Sequence, residues 1–189
     1  MNVVISMIQQ IRSLMRINSI RLGLILLCGL LLPCLHSEPA NILVANLTFT
    51  RPATWKWTEP TKGSSAVSRF VIPGPGNSSK TDVRFFIIKK DVETEKAATL
   101  NQFPGSSQRD LGIEEIKIGK QKVLYLKIEG TYQLRDSTPK PGQLLLGAAI
   151  PMGKEFVFAK LLGPRAEVEQ QISKFKKMVE TAIKERDVN

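Results

Sequence analysis

Residues 144–162 read LLLGAAIPMGKEFVFAKLL. Two runs, Leu144 to Ile150 and Glu155 to Leu162, flank the four residues Pro151-Met152-Gly153-Lys154. The runs are of strand length and the connection holds Pro and Gly, so the stretch predicts a β-hairpin. Both runs are apolar at odd and even positions alike. A strand with that pattern is buried on both faces of its sheet. Val83 to Ile88 (VRFFII) has the same character. A sheet with such strands needs cover on both sides.

Two helical patterns can supply that cover. Residues 92–103 (VETEKAATLNQF) carry Glu93 and Glu95 near the positive N-terminal end and stop at Pro104-Gly105. After Gly163-Pro164, which puts Pro at the first helical position, Val168, Ile172, Phe175, Val179 and Ile183 form one apolar stripe. Residues 164–185 are the clearest helix in the chain. Further strands are expected at Ala66 to Ile72, Ile113 to Ile118 and Val123 to Tyr132, the last two joined by GKQK as a second hairpin. Ile42 to Phe49 is apolar, and Arg135 to Gly142 reads as loop. The fold class is α+β: a mainly antiparallel sheet of about six or seven strands with helices on both faces.

The whole chain has 189 residues and a net charge of +10. Residues 1–37 contain no acidic residue; Arg12, Arg16 and Arg21 precede the apolar run Leu22 to Leu32, which Pro33 ends. That is the layout of a secretory signal. Eleven residues of helix span about 16 Å, short of a bilayer core of roughly 30 Å. Cleavage is expected after Ser37, with Met15 as an alternative start. Retention as an anchor, or lipid attachment at Cys34, would hold the same domain at a membrane. Residues 38–189 then form a single domain of about 150 residues, large enough for a stable core.

Both Cys and the single His lie before residue 37, so the domain has neither. Sites that need an imidazole base, or His and Cys ligands for zinc, haem or iron–sulfur, cannot be assembled from it. No metal and no cofactor is expected. Carboxylate or Ser-Lys chemistry survives as an enzymatic alternative; the expectation is a non-enzymatic protein.

Several residues carry candidate binding chemistry. Lys160 alternates onto the face of Phe156 and Phe158. A Lys on an apolar face must snorkel or find a partner. It either receives an anionic ligand, reaches solvent at the strand end, or pairs with a carboxylate such as Glu129 or Glu155. Lys127 shares a face with Tyr125 in the same way. Arg69 either pairs with Asp82 across the intervening loop or faces a ligand. Trp55 and Trp57, two apart with Lys56 between, either make an aromatic platform for a sugar or peptide or cap the core. Lys174, Lys176 and Lys177 cluster on the closing helix, as a solvated face or a weak attraction for anionic lipid or polymer. Glu114 and Glu115 are neighbours in a strand and face opposite ways, unlike the paired carboxylates of a glycosidase. Residues 74–81 (GPGNSSKT) miss a phosphate loop by Ser79, and a strand rather than a helix follows. No nucleotide and no nucleic acid is expected as a partner.

The order of features has a counterpart in a known fold. It runs from Thr54-Trp55 through strands and a mid-chain helix to LLGAAIPMGKEFVFAKLLGP, then a closing helix with FKKMVETA. This resembles the PsbP-like α/β/α sandwich, named after an extrinsic thylakoid-lumen protein of photosystem II. More closely it resembles uncharacterised exported bacterial proteins, in which Gly130-Thr131-Tyr132, Leu146-Gly147-Ala148 and Lys160 before Gly163-Pro164 have equivalents. The resemblance spans roughly residues 54–182. Where those proteins tend to carry an Arg-Trp pair after the mid-chain helix, this chain has Asn101-Gln102-Phe103-Pro104. The resemblance implies a fold and an extracytoplasmic location, with no catalytic residues. The expected role is an exported envelope protein, an accessory or binding module whose partner is an envelope protein or an anionic cell-surface polymer or lipid.

Overall fold

A computed structural model describes residues 38–74, 81–135 and 137–188. The leader at 1–37, the phosphate-loop-like segment at 75–80 and the expected lipidation site lie outside those residues.

The strands are β1 (Asn41–Val44), β2 (Leu47–Thr50), β3 (Lys56–Thr58), β4 (Ser68–Ile72), β5 (Thr81–Ile88), β6 (Gly112–Ile118), β7 (Gln121–Tyr132), β8 (Lys140–Met152) and β9 (Glu155–Pro164). The helices are α1 (Val92–Leu100) and α2 (Arg165–Val188). A seven-stranded sheet has the order β3-β4-β5-β9-β8-β7-β6, and every pairing in it is antiparallel. The α+β class, the strand number and both hairpins agree with the sequence reading.

Three local features differ from it. Residues 41–50 form a separate two-stranded hairpin, which packs beside α2 on one face of the large sheet. Residues 140–142, expected as loop, extend β8, and a register shift between Gly130 and Tyr132 absorbs the misfit. Pro164 still pairs with Gln143 in the sheet, so α2 begins at Arg165 rather than at the proline. A proline tolerates this because it closes the strand, where no further ladder donor is needed.

The two faces are covered unequally. On one, α2 buries Val168, Phe175, Met178, Val179, Ala182 and Ile183 against Phe49, Phe70, Phe85 and the inward side chains of β8 and β9. On the other, Thr99 is the one buried residue of α1, and the apolar cover comes from its ends and from Phe103 beyond it. Asp91 caps α1 by accepting the Thr94 N–H at 2.7 Å, which holds the Asp91 carboxyl below its ordinary range. The side chains that α1 and its exit present at the sheet include Glu95, Ala98 and Gln102, which are short or polar. They fill less space than an apolar stripe would, and a recess remains. Among the described residues, no helix is long and apolar enough to cross a membrane.

Candidate functional site

Three cations stand abreast on the α1 face. Arg69 of β4 is opposite Arg84 of β5, and Arg84 is opposite Lys160 of β9. Because opposite residues in an antiparallel ladder share a face, all three side chains leave the sheet on the same side. The next position along that row is Gly147, opposite Lys160 on β8. Like charges directly opposite one another destabilise a sheet. Compensation is therefore required, and it is incomplete.

Asp82 offsets one of the two arginine charges. It is buried, and its Oδ2 accepts hydrogen bonds from Arg69 Nε at 2.9 Å, Arg84 Nε at 3.0 Å and Arg84 Nη2 at 2.8 Å, with Arg69 Nη2 in ion-pair contact at 2.8 Å. The expected Arg69–Asp82 pair is thus present, with Arg84 as its third member.

Lys160 has no carboxylate in ion-pair contact among the described residues. Glu129 pairs instead with Arg165 at 2.8 Å, and Glu155 with Lys89 at 3.7 Å. Lys160 is 8% exposed. Its Nζ donates to Gln102 Oε1 and lies 5.2 Å from the centroid of the Tyr132 ring. Burial, reinforced by the nearby Arg84 charge, pulls its pKa down to about 8, while Glu95 and Asp82 act in the other direction. Burial raises the Glu95 carboxyl above its ordinary value, against the opposing charges of Lys160 and Lys90.

Backbone features shape the surroundings. A Cβ at Gly147 would lie 2.6 Å from Cε2 of Phe158, so the glycine lets that ring lie across β8 beside Lys160. The register shift after Gly130 turns Tyr132 onto Phe103, ring centroids 5.6 Å apart and edge-on. Tyr132 burial raises its phenol pKa. Tyr132 and Gly147 thus both border Lys160, the first through its ring and the second as the opposite residue on β8.

Two recesses meet at Arg84 and Tyr132. One, of about 510 Å³, is lined by Arg69, Thr81, Asp82, Lys140 and Gln143 besides these two. The other, of about 500 Å³, lies on the Lys160 side against Glu95, Gln102 and Phe158. Both volumes suit a small ligand.

The remaining candidates lie elsewhere. Lys127 is exposed and shares the α2 face with Tyr125, on the opposite side of the sheet from Lys160. Trp55 is wholly buried and donates its Nε1–H to Gln171 Oε1 at 3.0 Å; Trp57 is half-buried against the same core. An exposed pair of rings is therefore not formed, because both indoles complete the α2-side core. On α2, Lys176 pairs with Glu114 at 2.8 Å and sits 4.9 Å from the Tyr125 ring centroid, Lys184 pairs with Glu180, and Lys174 reaches Thr54 at 3.4 Å. Within the cluster, Lys176 is the member paired with a carboxylate.

Sequence reasoning missed Arg84, Glu95, Gln102 and Tyr132 as members of the site. Arg84 was legible in principle: it alternates with Phe86 and Ile88 in a run otherwise apolar, as Lys160 does with Phe156 and Phe158.

Comparison with known proteins adds a fold-level likeness. No family model and no curated protein sequence matches the chain. The solution structure of cyanobacterial PsbP (CyanoP) from Synechocystis sp. PCC 6803 superimposes with a TM-score of 0.49 at 14% identity, over 79% of this chain and 95% of that one. A protein of unknown function from Pseudomonas aeruginosa gives 0.39 at 13% identity, over 77% and 96%. A crystal structure from Bacteroides thetaiotaomicron VPI-5482 gives 0.36 at 14%, over 63% and 38%. Likenesses of this size carry no functional argument. The layering itself, a seven-stranded antiparallel sheet with a helix on each face, is that of a PsbP-like sandwich.

Proposed function

We propose that the domain is an exported, non-enzymatic binding module of the cell envelope, and that it takes an anionic group between Arg84 and Lys160. The observation that carries this is the row Arg69–Arg84–Lys160, three cations abreast with one carboxylate in contact and Glu95 as the other nearby. A sheet gains nothing from such a row in the empty state. An anion placed at its Lys160 end would relieve the repulsion and supply the missing partner. Export rests on the composition of residues 1–37. The envelope component that presents the anion, a protein, polymer or lipid, is proposed on the same footing.

Amide chemical-shift titration with acetate and with inorganic phosphate tests the reading. The first residues to shift are those of β5 and β9 around Arg84 and Lys160, and Arg84→Gln removes the response. Shifts centred on Lys174 and Lys177 instead would move the site to α2 and sink the assignment.

A second reading, Ser-Lys hydrolysis, is favoured by one observation: Ser64 and Ser65 line the same recess as Lys160. Against it, Ser64 Oγ is engaged by the Ala66 N–H at 3.1 Å and Lys160 by Gln102. Covalent labelling of Ser64 or Ser65 by a fluorophosphonate would put this reading first.

A further inference from the structure

The recess on the Lys160 side has two kinds of wall. One is charged and mainly cationic: Arg84 and Lys160, the latter held by the Gln102 amide, with Glu95 as the carboxylate in the same lining. The other is apolar: Phe86, Ile88, Phe158 and Leu134. Phe86 and Ile88 are half-buried and Leu134 is 50% exposed. Yet Phe86 and Ile88 belong to the face that forms the second core, and both pack on its edge. A site for a bare anion has no use for such a floor. Incompletely covered apolar surface inside a cavity is surface that a ligand can take out of water.

Strand register fixes the geometry of the two walls. Arg84 is opposite Lys160, Phe86 is opposite Phe158, and Ile88 is opposite Phe156. These are successive rows on one face, about 7 Å apart along the strands. A ligand whose head meets the first row has its body directed along the second and third. The recess on the far side of Arg84 also has apolar lining, from Pro139, Pro141 and Leu162, but its next row along the β5–β9 ladder is Asp82 opposite Leu162, so a carboxylate stands where the body would run.

Resting on the anion-binding reading above, we infer that the ligand is a single-chain amphiphile, with a carboxylate or phosphate head on Arg84 and Lys160 and an apolar body along Phe86, Phe158 and Ile88. Specificity divides accordingly. The head is recognised by charge, and the body by burial, which discriminates by length rather than by chemical detail.

Calorimetric titration of the purified protein at pH 7 and fixed ionic strength tests this, with acetate, butyrate, octanoate, inorganic phosphate, octyl phosphate and octyl glucoside as probes. Each buried methylene tightens binding about fourfold, so octanoate, with four more than butyrate, exceeds it by up to about 250-fold. Octyl phosphate exceeds inorganic phosphate in the same sense, and octyl glucoside, with the chain but no charge, binds at least about tenfold more weakly than octanoate. Lys160→Met, which keeps the apolar volume and the fold, loses octanoate. Ile88→Asn weakens octanoate and leaves butyrate unchanged. If acetate and phosphate bind through Arg84 and Lys160 but octanoate gains nothing over butyrate, the amphiphile inference falls and the anion site stands. If no anion binds, both fall. Octanoate binding that survives in Lys160→Met and Arg84→Gln alike also overturns the inference.

Discussion

Arg84 and Lys160 face each other across the β5–β9 ladder, with both side chains on the α1 side of the sheet and, among the described residues, no carboxylate bridging them. Two cations in that relation raise the energy of the folded state, most of all where one is buried. Most of what can be measured on this protein follows from that pair.

The Lys160 charge should make stability rise in alkaline solution. Its pKa is lowered in the folded state to about 8 from 10.5. Between those values the unfolded chain binds a proton that the folded one does not, so stability increases with pH across that window and is flat below it. The gain is on the order of 2–3 kcal/mol. Urea unfolding from pH 7 to 10.5 measures it, with Lys160→Met as the reference; a wild-type curve parallel to that of the variant would show that Lys160 is not the titrating group.

Replacing the buried cation by an apolar side chain should stabilise the fold at neutral pH. Lys160→Met removes the repulsion with Arg84 and leaves Gln102 near the recess, where water can reach it. Substitutions of this kind are neutral to stabilising, here by about 1–2 kcal/mol. Thermal melting at pH 7 reads the effect as a rise in Tm of several degrees, together with loss of anion binding.

Asp82→Asn should have the opposite sign. Three hydrogen bonds and one further ion-pair contact from two guanidinium groups converge on one oxygen of this buried carboxylate. Both arginines are partly solvated, which reduces the loss, and about 2 kcal/mol is expected. Equilibrium denaturation gives the value. Because Arg84 loses its tether, phosphate binding should change in the same variant, whereas a remote destabilising substitution leaves it alone.

Gly147→Ala should destabilise by about 1–3 kcal/mol, because the added methyl overlaps the Phe158 ring. The diagnostic is the double variant with Phe158→Leu. If the ring is the obstacle, the second change recovers part of the loss, and the two effects are not additive.

Trp55→Ala should cost about 3–5 kcal/mol, as expected for a fully buried indole that also loses a hydrogen bond to Gln171. Trp57→Ala should cost far less. Tryptophan fluorescence with acrylamide separates the two: only one of the two indoles should be readily quenched.

Parts of the site were legible in the sequence. Lys160 declared itself as a cation alternating with Phe156 and Phe158, and the Arg69–Asp82 pair was accessible because one loop separates the two strands. Arg84 escaped because its run reads as doubly apolar and Asp82, two residues before it on the same face, was assigned to Arg69 alone. Tyr132 escaped because its orientation depends on the register shift after Gly130, which is a property of the β7–β8 pairing. The indoles remained ambiguous, since spacing two apart places rings on one face without saying whether that face is wet.

The sequence by itself determined the layers. Alternation has a period of two and the closing stripe on α2 a period near 3.6, so both are local signals that assign faces, and hairpins join neighbours in the chain. The tertiary structure alone decided which strands that are distant in sequence lie side by side. β5 and β9 meet because non-local burial selects that order from several that the same pattern allows, and only their register brings Arg84 level with Lys160 above the gap that α1 leaves.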